Sequence, residues 1–472
     1  MSKINNLLKN KPKSINMGLE GFQEDLEKQN QEAVQMNWKP PVELSPEVAE
    51  ALSKLMNRPD IDEANQKAAQ IIIDAHPVLI GYDTAINVVP GMTKDTILHA
   101  GPPITWDRMN GAMRGAIAGG IIFEGFAKDY EEACEVAASG KVKFSPCHEH
   151  GCVGSMAGVT TASMPVHIIK NKTHGNLAFT NLSEQMPKVL RMGANDQSVM
   201  DRLQWMKDVL GEVLKEAMKL AGEIDLRAML AGALHMGDEC HNRNTAATSL
   251  FIQTIAPYIV ETSFSDKVKK EVFDFMNLGD YFTGPTWMGY CKCAMDAAHN
   301  IENSTVVTTM CRNGTDFGIR VSGIGGNIWF TGPAQRVVGI MFPGYKHEDA
   351  GNDIGDSAIT ETYGIGAFAM AAAPAIVQIT GGTVSSAIDY TVQMTEITTA
   401  ENHHLTIPNL DFRGTATAID VRKVLETGIL PIINTAMAHK EPGIGMIGAG
   451  LTHPPMDCFE KAAVVLAEKL EK

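Results

Sequence analysis

Residues 145–165 read SPCHEHGCVGSMAGVTTASMP, placing two thiols and two imidazoles, Cys147, His148, His150 and Cys152, in one run of small and turn-forming residues. Two sulfur and two nitrogen donors are the inventory of a structural zinc site. Ligands from one segment are normally separated by about two to four residues, however, and here they are adjacent or alternate. No metal is therefore expected from these four, and buried turn residues are the plain alternative. Gly151, Gly154 and Gly158 leave backbone N–H groups open to close approach, which is how glycine-rich loops hold anions. Cys147 as a covalent nucleophile is a minor reading, since nothing adjacent in the chain lowers its thiol pKa.

Four further stretches combine polar chemistry with turns. In residues 235–244, HMGDECHNRN, Asp238 and Glu239 stand at the start of an expected helix and are explained as caps. The functional alternative has His241 and Arg243 facing a cleft while one of those carboxylates sets the imidazole's charge. Arg312-Asn313-Gly314 with Arg320 puts two guanidinium groups on a strand pair, a fork suited to carboxylate or phosphate, against the alternative of ordinary surface ion pairs. Residues 355–366 carry Asp356, Ser357, Thr360 and Glu361, and residues 434–450 carry His439, Lys440 and Glu441, all in glycine-rich surroundings without the period of a surface helix. The string from Gly443 to Gly450 loosely matches a dinucleotide fingerprint, but no strand and acidic residue follow, so no nucleotide cofactor is expected.

The elements that must position these groups follow from composition and period. At 472 residues the chain exceeds one ordinary core. Hydrophobic residues at 44% and charged residues at 20% describe a globular protein. A formal net charge of -15, with no basic run beyond Lys267, Lys269 and Lys270, argues against a nucleic-acid groove but leaves room for a local basic pocket and a small anionic substrate. The first sixteen residues are polar without a signal core, and no run approaches the roughly 18 apolar residues of a membrane span. Eight cysteines without secretory features read as reduced thiols, so a cytoplasmic location is expected.

Residues 13–41 predict strand, helix and strand, stopped by Pro40 and Pro41. Ser45 and Pro46 open a helix over 45–56, without a capping box because Val48 holds the third position. A helix follows over 62–76, a strand over 96–98 before the His99-Ala-Gly-Pro-Pro turn, and a helix over 111–126 whose interior glycines each cost about 1 kcal/mol. Strands are expected at 166–170 and 177–181. A helical period then runs through 198–222, opened by Ser198 and Asp201, and through 226–236, 244–261, 266–276 and 286–300. Strand character returns at 305–311, 318–322, 328–330 and 376–379, before a C-terminal helix over 456–469. The expected fold class is α+β (mixed α/β) and multidomain: an arm and helix over 1–63, an α/β domain over 64–190, a helical domain over 191–302 and an α/β domain over 303–472.

With these stretches assembled, the chain closely resembles the bacterial AllG/YlbE family, which is associated with oxamate carbamoyltransferase. The resemblance rests on His99-Ala-Gly-Pro-Pro, Pro146-Cys-His, Thr161-Ala-Ser-Met-Pro, Met236-Gly-Asp-Glu, His241, Arg243-Asn244, Arg312-Asn-Gly, Phe317-Gly-Ile-Arg-Val-Ser-Gly, Gly355-Asp-Ser-Ala-Ile-Thr-Glu-Thr and His439-Lys-Glu, and spans residues 64–470. Glu149, His150 and Cys152 depart from the family pattern, and the Ser-Thr-Arg-Thr phosphate loop of aspartate and ornithine transcarbamoylases is missing, which implies a different site for carbamoyl phosphate. The resemblance implies a subunit that converts oxalurate and phosphate into oxamate and carbamoyl phosphate beside an FdrA-like partner and other subunits; assembly as a homodimer is a further expectation. His148, His241, His439 and Cys147 are the expected catalytic residues. His99, Arg243, Arg312, Asn313, Arg320, Asp356, Ser357, Glu361 and Lys440 are the expected anion-binding residues, with backbone N–H groups near Gly158 or Gly443 facing an oxyanion. No metal and no cofactor are expected. Two alternatives stand beside this reading: a non-catalytic scaffold of an FdrA-like complex, whose arm adds a strand to a partner's sheet, and a metal-dependent amidohydrolase, which predicts stoichiometric zinc.

Overall fold

The computed structural model describes residues 13–17, 20–36, 42–185 and 188–471. The chain divides into two compact units, Met1–Leu44 and Ser45–Lys472. In the first, strand Lys13–Met17 pairs in parallel with Glu32–Met36 across helix Glu20–Lys28. The register sets Ile15 opposite Val34 and Met17 opposite Met36, so the period of two places these apolar residues on one exposed face. The expected stop at Pro40 and Pro41 lies outside the described residues.

The second unit begins as its sequence predicts: Ser45 accepts the N–H of Val48 and caps helix Pro46–Leu55. Helix Pro59–Asp74 leads into strand Pro77–Thr84 of a five-stranded sheet, which runs Ile224–Asp225, Pro77–Thr84, Pro165–Asn171, Leu177–Asn181, Cys152–Val153. Against this sheet lies helix Gly284–Ala297, whose Gly289 is so close that a Cβ there would meet Ile169 at 2.6 Å. Segment 191–302 is helical apart from Ile224–Asp225, which pairs antiparallel with Val78 and Leu79. The cap at its start is Asp196, accepting from the N–H groups of Ser198 and Val199, rather than Ser198.

Helix Gly111–Phe123 explains its own glycines. A Cβ on Gly111 would meet the carbonyl of Lys440 at 2.1 Å, one on Gly115 the carbonyl of Gly193 at 2.2 Å, and one on Gly119 the Leu190 side chain at 2.3 Å. The propensity cost is offset by backbone approach that no larger residue permits.

Four antiparallel strands, Phe330–Pro333, Asp316–Val321, Val307–Asn313 and Ile354–Gly355, form a second large sheet. Thr96–His99 lies between Lys143–Pro146 and Thr160–Thr161 in a third. The expected strand over 376–379 is instead helical, as Pro374–Ile376 and Val377–Thr380, with Gly381 at φ 85° ending it. Strands Thr398–Ile407 and Arg413–Ile419 form a hairpin, and Met446–Thr452 lies between Val338–Met341 and Ile433–Ala438. Distant parts are tied by a buried amide: Asn65 Nδ2 donates to Thr305 Oγ1 at 2.8 Å and to Asp420 Oδ2 at 2.9 Å. Among the described residues no helix is long and apolar enough to cross a membrane.

Candidate functional site

After helix Leu226–His235 the chain turns sharply, with Gly237 at φ 97° and Cys240 at φ 62°. This folds residues 239–243 around one carboxylate. Glu239 accepts the N–H groups of His241 at 2.8 Å and of Asn242 and Arg243 at 2.7 Å each. Burial, opposed by His241 and those N–H groups, pushes the Glu239 carboxyl up to about 7. Asp238 has the plainer task of accepting from Ala247 N at the start of helix Thr245–Glu261.

The His241 ring is fixed from the other side. Its Nδ1 lies 2.7 Å from Glu361 Oε1, on helix Ile359–Tyr363, and 3.1 Å from Thr360 Oγ1. A carboxylate accepting at Nδ1 leaves Nε2 as the basic nitrogen. Glu361 is held by Ala367 N at 2.9 Å and Thr360 Oγ1 at 2.9 Å. Gly366 permits this, since a Cβ there would strike Glu361 Oε1 at 2.3 Å.

His241 borders a cavity of about 330 Å³, the size of a small-ligand site. Ser155, Arg191, Asn242, Tyr281, Ser357 and Thr435 are its polar lining, and Met156, Met192, Phe342, Ile379 and Met446 are among the apolar residues. The Arg191 guanidinium stacks over Tyr281 at 5.4 Å and donates to Gln185 O at 3.1 Å. Its backbone N–H reaches Glu184 at 3.1 Å, so a buried carboxylate orients the turn that carries it. The cavity surface is almost entirely apolar, with one guanidinium, one carboxylate-backed imidazole and several hydroxyl and amide groups at its edge. Such a set can bind a small anion and move one proton.

Of the expected residues, the structure places His241 and Ser357 in the wall of this cavity, with Glu361 behind His241. Arg312 lies just behind it, fully buried, with Nε and Nη2 bidentate on Asp353 at 2.6 and 2.8 Å. Its remaining donors reach Gly355 O at 2.9 Å, Ser357 Oγ at 3.3 Å and Thr435 Oγ1 at 2.9 Å. The fork is thus filled by the protein's own carboxylate, and Arg312 positions two hydroxyl groups of the lining. Arg320 does not join it: its guanidinium reaches His299 Nε2 at 2.8 Å, Gly326 O at 2.7 Å and His148 O at 3.3 Å. Asn313 is a turn residue, accepting from Thr315 N and Asp316 N and donating to Pro102 O. Arg243 bonds Gly237 O at 3.0 Å and lies 3.5 Å from Asp238.

His150 bridges Pro90 O and Ser145 Oγ, Cys152 Sγ faces Val153 O at 3.9 Å, and Cys147 Sγ donates to Gly158 O at 3.3 Å, so the four heteroatom residues do not converge. Burial raises the Cys147 thiol well above its usual range, which weighs against a thiolate nucleophile there. Of the backbone groups near the expected oxyanion, Gly158 N donates to Ser155 O and Gly443 N to Gly193 O, each at 2.9 Å. His148 is fully buried and outside the cavity lining, beside Asp356. Asp356 accepts from Gly101 N at 2.8 Å and Gly154 N at 3.0 Å, and burial pushes its carboxyl up to about 7. His99 is buried with Nδ1 on Ala100 O at 2.8 Å, and burial lowers it to about 4. His439 accepts Glu441 N at 3.0 Å and packs its ring against Tyr345, while Lys440 Nζ donates to Glu348 O at 2.8 Å; neither lines the cavity.

Arg191 and Tyr281 escaped the sequence reading as site residues. Arg191 has a signal in retrospect: Gly193, at φ 87°, ends the single turn that presents it.

These features define a mixed α+β protein that gathers loops from distant parts of its chain around one small polar-edged cavity. A family profile described as "Oxamate carbamoyltransferase subunit AllG" matches residues 142–357. Two relatives from Escherichia coli (strain K12) extend the likeness. The protein named "Uncharacterized protein YahG" is 63% identical, over 96% of this chain and 97% of its own. "Oxamate carbamoyltransferase subunit AllG" is 44% identical, over 87% of this chain and 98% of its own. A crystal structure of a conserved protein of unknown function from Enterococcus faecalis V583 superposes with a TM-score of 0.86 at 65% identity, covering 86% of this chain and 98% of that one. The chain belongs to the AllG family.

Proposed function

We propose that the chain is the substrate-binding subunit of an oxamate carbamoyltransferase-like complex, and that oxalurate and phosphate meet in the cavity bordered by His241 and Arg191. The observation that carries this reading is the His241–Glu361 pair at the edge of a small cavity with a guanidinium in its wall. The relative named as an AllG subunit supports the substrate class.

In the proposed reaction a phosphate oxygen attacks the ureido carbonyl carbon of oxalurate, forming a C–O bond. The C–N bond to the oxamate nitrogen then breaks. The proton lost by hydrogen phosphate is taken by His241 Nε2 and returned to that nitrogen, giving carbamoyl phosphate and neutral-amide oxamate with charge conserved. Glu361 holds the ring and stabilises the imidazolium between the two transfers. Arg191 faces the anionic charge, and Asn242, Ser357 and Thr435 supply hydrogen bonds.

The test is carbamoyl phosphate formation from oxalurate and phosphate by the chain assembled with an FdrA-like partner. His241→Ala is expected to lower kcat by about 10²–10⁴-fold in a folded, assembled complex. Full activity of that variant would show that the chemistry lies elsewhere and that this chain serves as a scaffold.

A further inference from the structure

A second cluster lies behind the cavity and takes no part in the reaction proposed above. His148 sits on the single turn Cys147–His150, Cys311 on strand Val307–Asn313, and Asp356 on the loop after Ile354–Gly355. One imidazole nitrogen, the thiol sulfur and one carboxylate oxygen of these residues all lie within 4.8 Å of one another, and all three residues are buried. The geometry points to a closed binding site for a zinc-like divalent cation, ligated by His148, Cys311 and Asp356.

Three observations carry this assignment. The donor set, one nitrogen, one sulfur and one oxygen, is a mixed set that Zn²⁺ accepts. His148 Nε2 and Asp356 Oδ1 are 3.5 Å apart, with both side chains fully buried. That separation is about what two ligands at roughly 2.0–2.1 Å from a tetrahedral ion show. Independently, neither His148 Nδ1 nor Nε2 has a hydrogen-bond partner among the described residues, although the side chain is fully enclosed. Buried imidazoles are rarely left so, and a cation between the three residues would satisfy Nε2.

The surroundings fix the ligands by their backbones. Lys292 Nζ and Arg320 Nη1 both donate to His148 O, at 3.1 and 3.3 Å, and Lys292 is itself paired with Asp296 at 2.7 Å. The Asp356 carboxylate is aimed by Gly101 N and Gly154 N. The Cys147 thiol, next in the chain to His148, donates to Gly158 O at 3.3 Å. Lys292, Arg312 and Arg320 are positive charges facing the cluster. A thiolate and a carboxylate on a dication leave the centre neutral, so these cations do not repel it. The spacing argument against Cys147, His148, His150 and Cys152 as one site does not touch a set drawn from three separate elements.

The experiment uses the full chain, stripped with a chelator and titrated with Co²⁺ alone. One equivalent is expected to bind, with visible d–d bands and a near-ultraviolet thiolate-to-cobalt band, and Zn²⁺ is expected to displace it. Cys311→Ser should abolish the thiolate band and His148→Gln should weaken binding at least tenfold, while Cys134→Ser, on helix Tyr130–Ala138, should change neither. No bound cobalt, or a spectrum unchanged in both Cys311→Ser and His148→Gln, overturns the assignment. Should a variant fail to fold, X-ray absorption on the zinc-loaded wild-type chain decides. One or two sulfurs at about 2.3 Å with nitrogen or oxygen ligands support the site, and a shell without sulfur overturns it.

Discussion

Glu239 is wrapped by three backbone N–H groups yet holds its proton towards neutral pH because burial outweighs them. Its folded pKa lies above the ordinary value of 4.5. The folded state therefore binds the extra proton, and the stability this contributes is fully present below about 4.5 and lost as pH rises through about 7. Glu239→Gln, which cannot titrate, is expected to flatten that fall. Urea midpoints of both proteins at about pH 5 and about pH 8 check it. The neighbouring His241 is held by a different carboxylate, so the two acids have separable roles. Glu361→Gln is expected to lower kcat of the assembled complex less than His241→Ala does, with KM little changed, because the ring stays in place but loses its counter-charge. Arg191→Ala is expected to raise KM for the anionic substrates, and steady-state kinetics separate the two effects.

The turns between elements hold the site, and their glycines are where change is least tolerated. Gly101, at φ 83°, brings its N–H to Asp356, and a Cβ there would meet Asn313 N at 2.4 Å. Gly101→Ala is expected to destabilise the fold by about 1–3 kcal/mol from backbone strain alone, measured by denaturant unfolding. Arg312→Ala leaves Asp353 buried without its partner and is expected to cost about 3–5 kcal/mol, a loss of stability rather than of affinity. Much at this scale was legible beforehand. Ser45 and Pro46 mark a helix start by type alone, and the apolar spacing of 266–276 matches Asp266–Met276 at both ends. The strands Thr398–Ile407 and Ile433–Ala438 were not legible, because buried polar and small residues such as Asn402, Asn434 and Thr435 break the apolar alternation. Residues 376–379 read as a strand from their β-branched types, and the preceding Pro374 starts a helical turn there instead. His241 and Glu361 were each singled out from polar residues on glycine-rich turns. Their contact was not, since they are 120 residues apart and only tertiary packing joins them.

Across the whole molecule, residues from Ser45 onward form one compact unit and the preceding arm another. A chain beginning at Ser45 is expected to fold and to unfold at the same temperature as the full chain, checked by calorimetry. The larger unit is closed by ties that span most of its length. Asn65 meets Thr305 and Asp420, while Arg422 pairs with both Asp62 and Asp420. The cavity is built in the same way, with walls supplied by Ser155, His241, Phe342 and, last along the chain, Met446. A chain made N-terminus first therefore emerges with this cavity unfinished until the strand bearing Met446 has been synthesised. A fragment cut short before that strand lacks this part of the cavity wall.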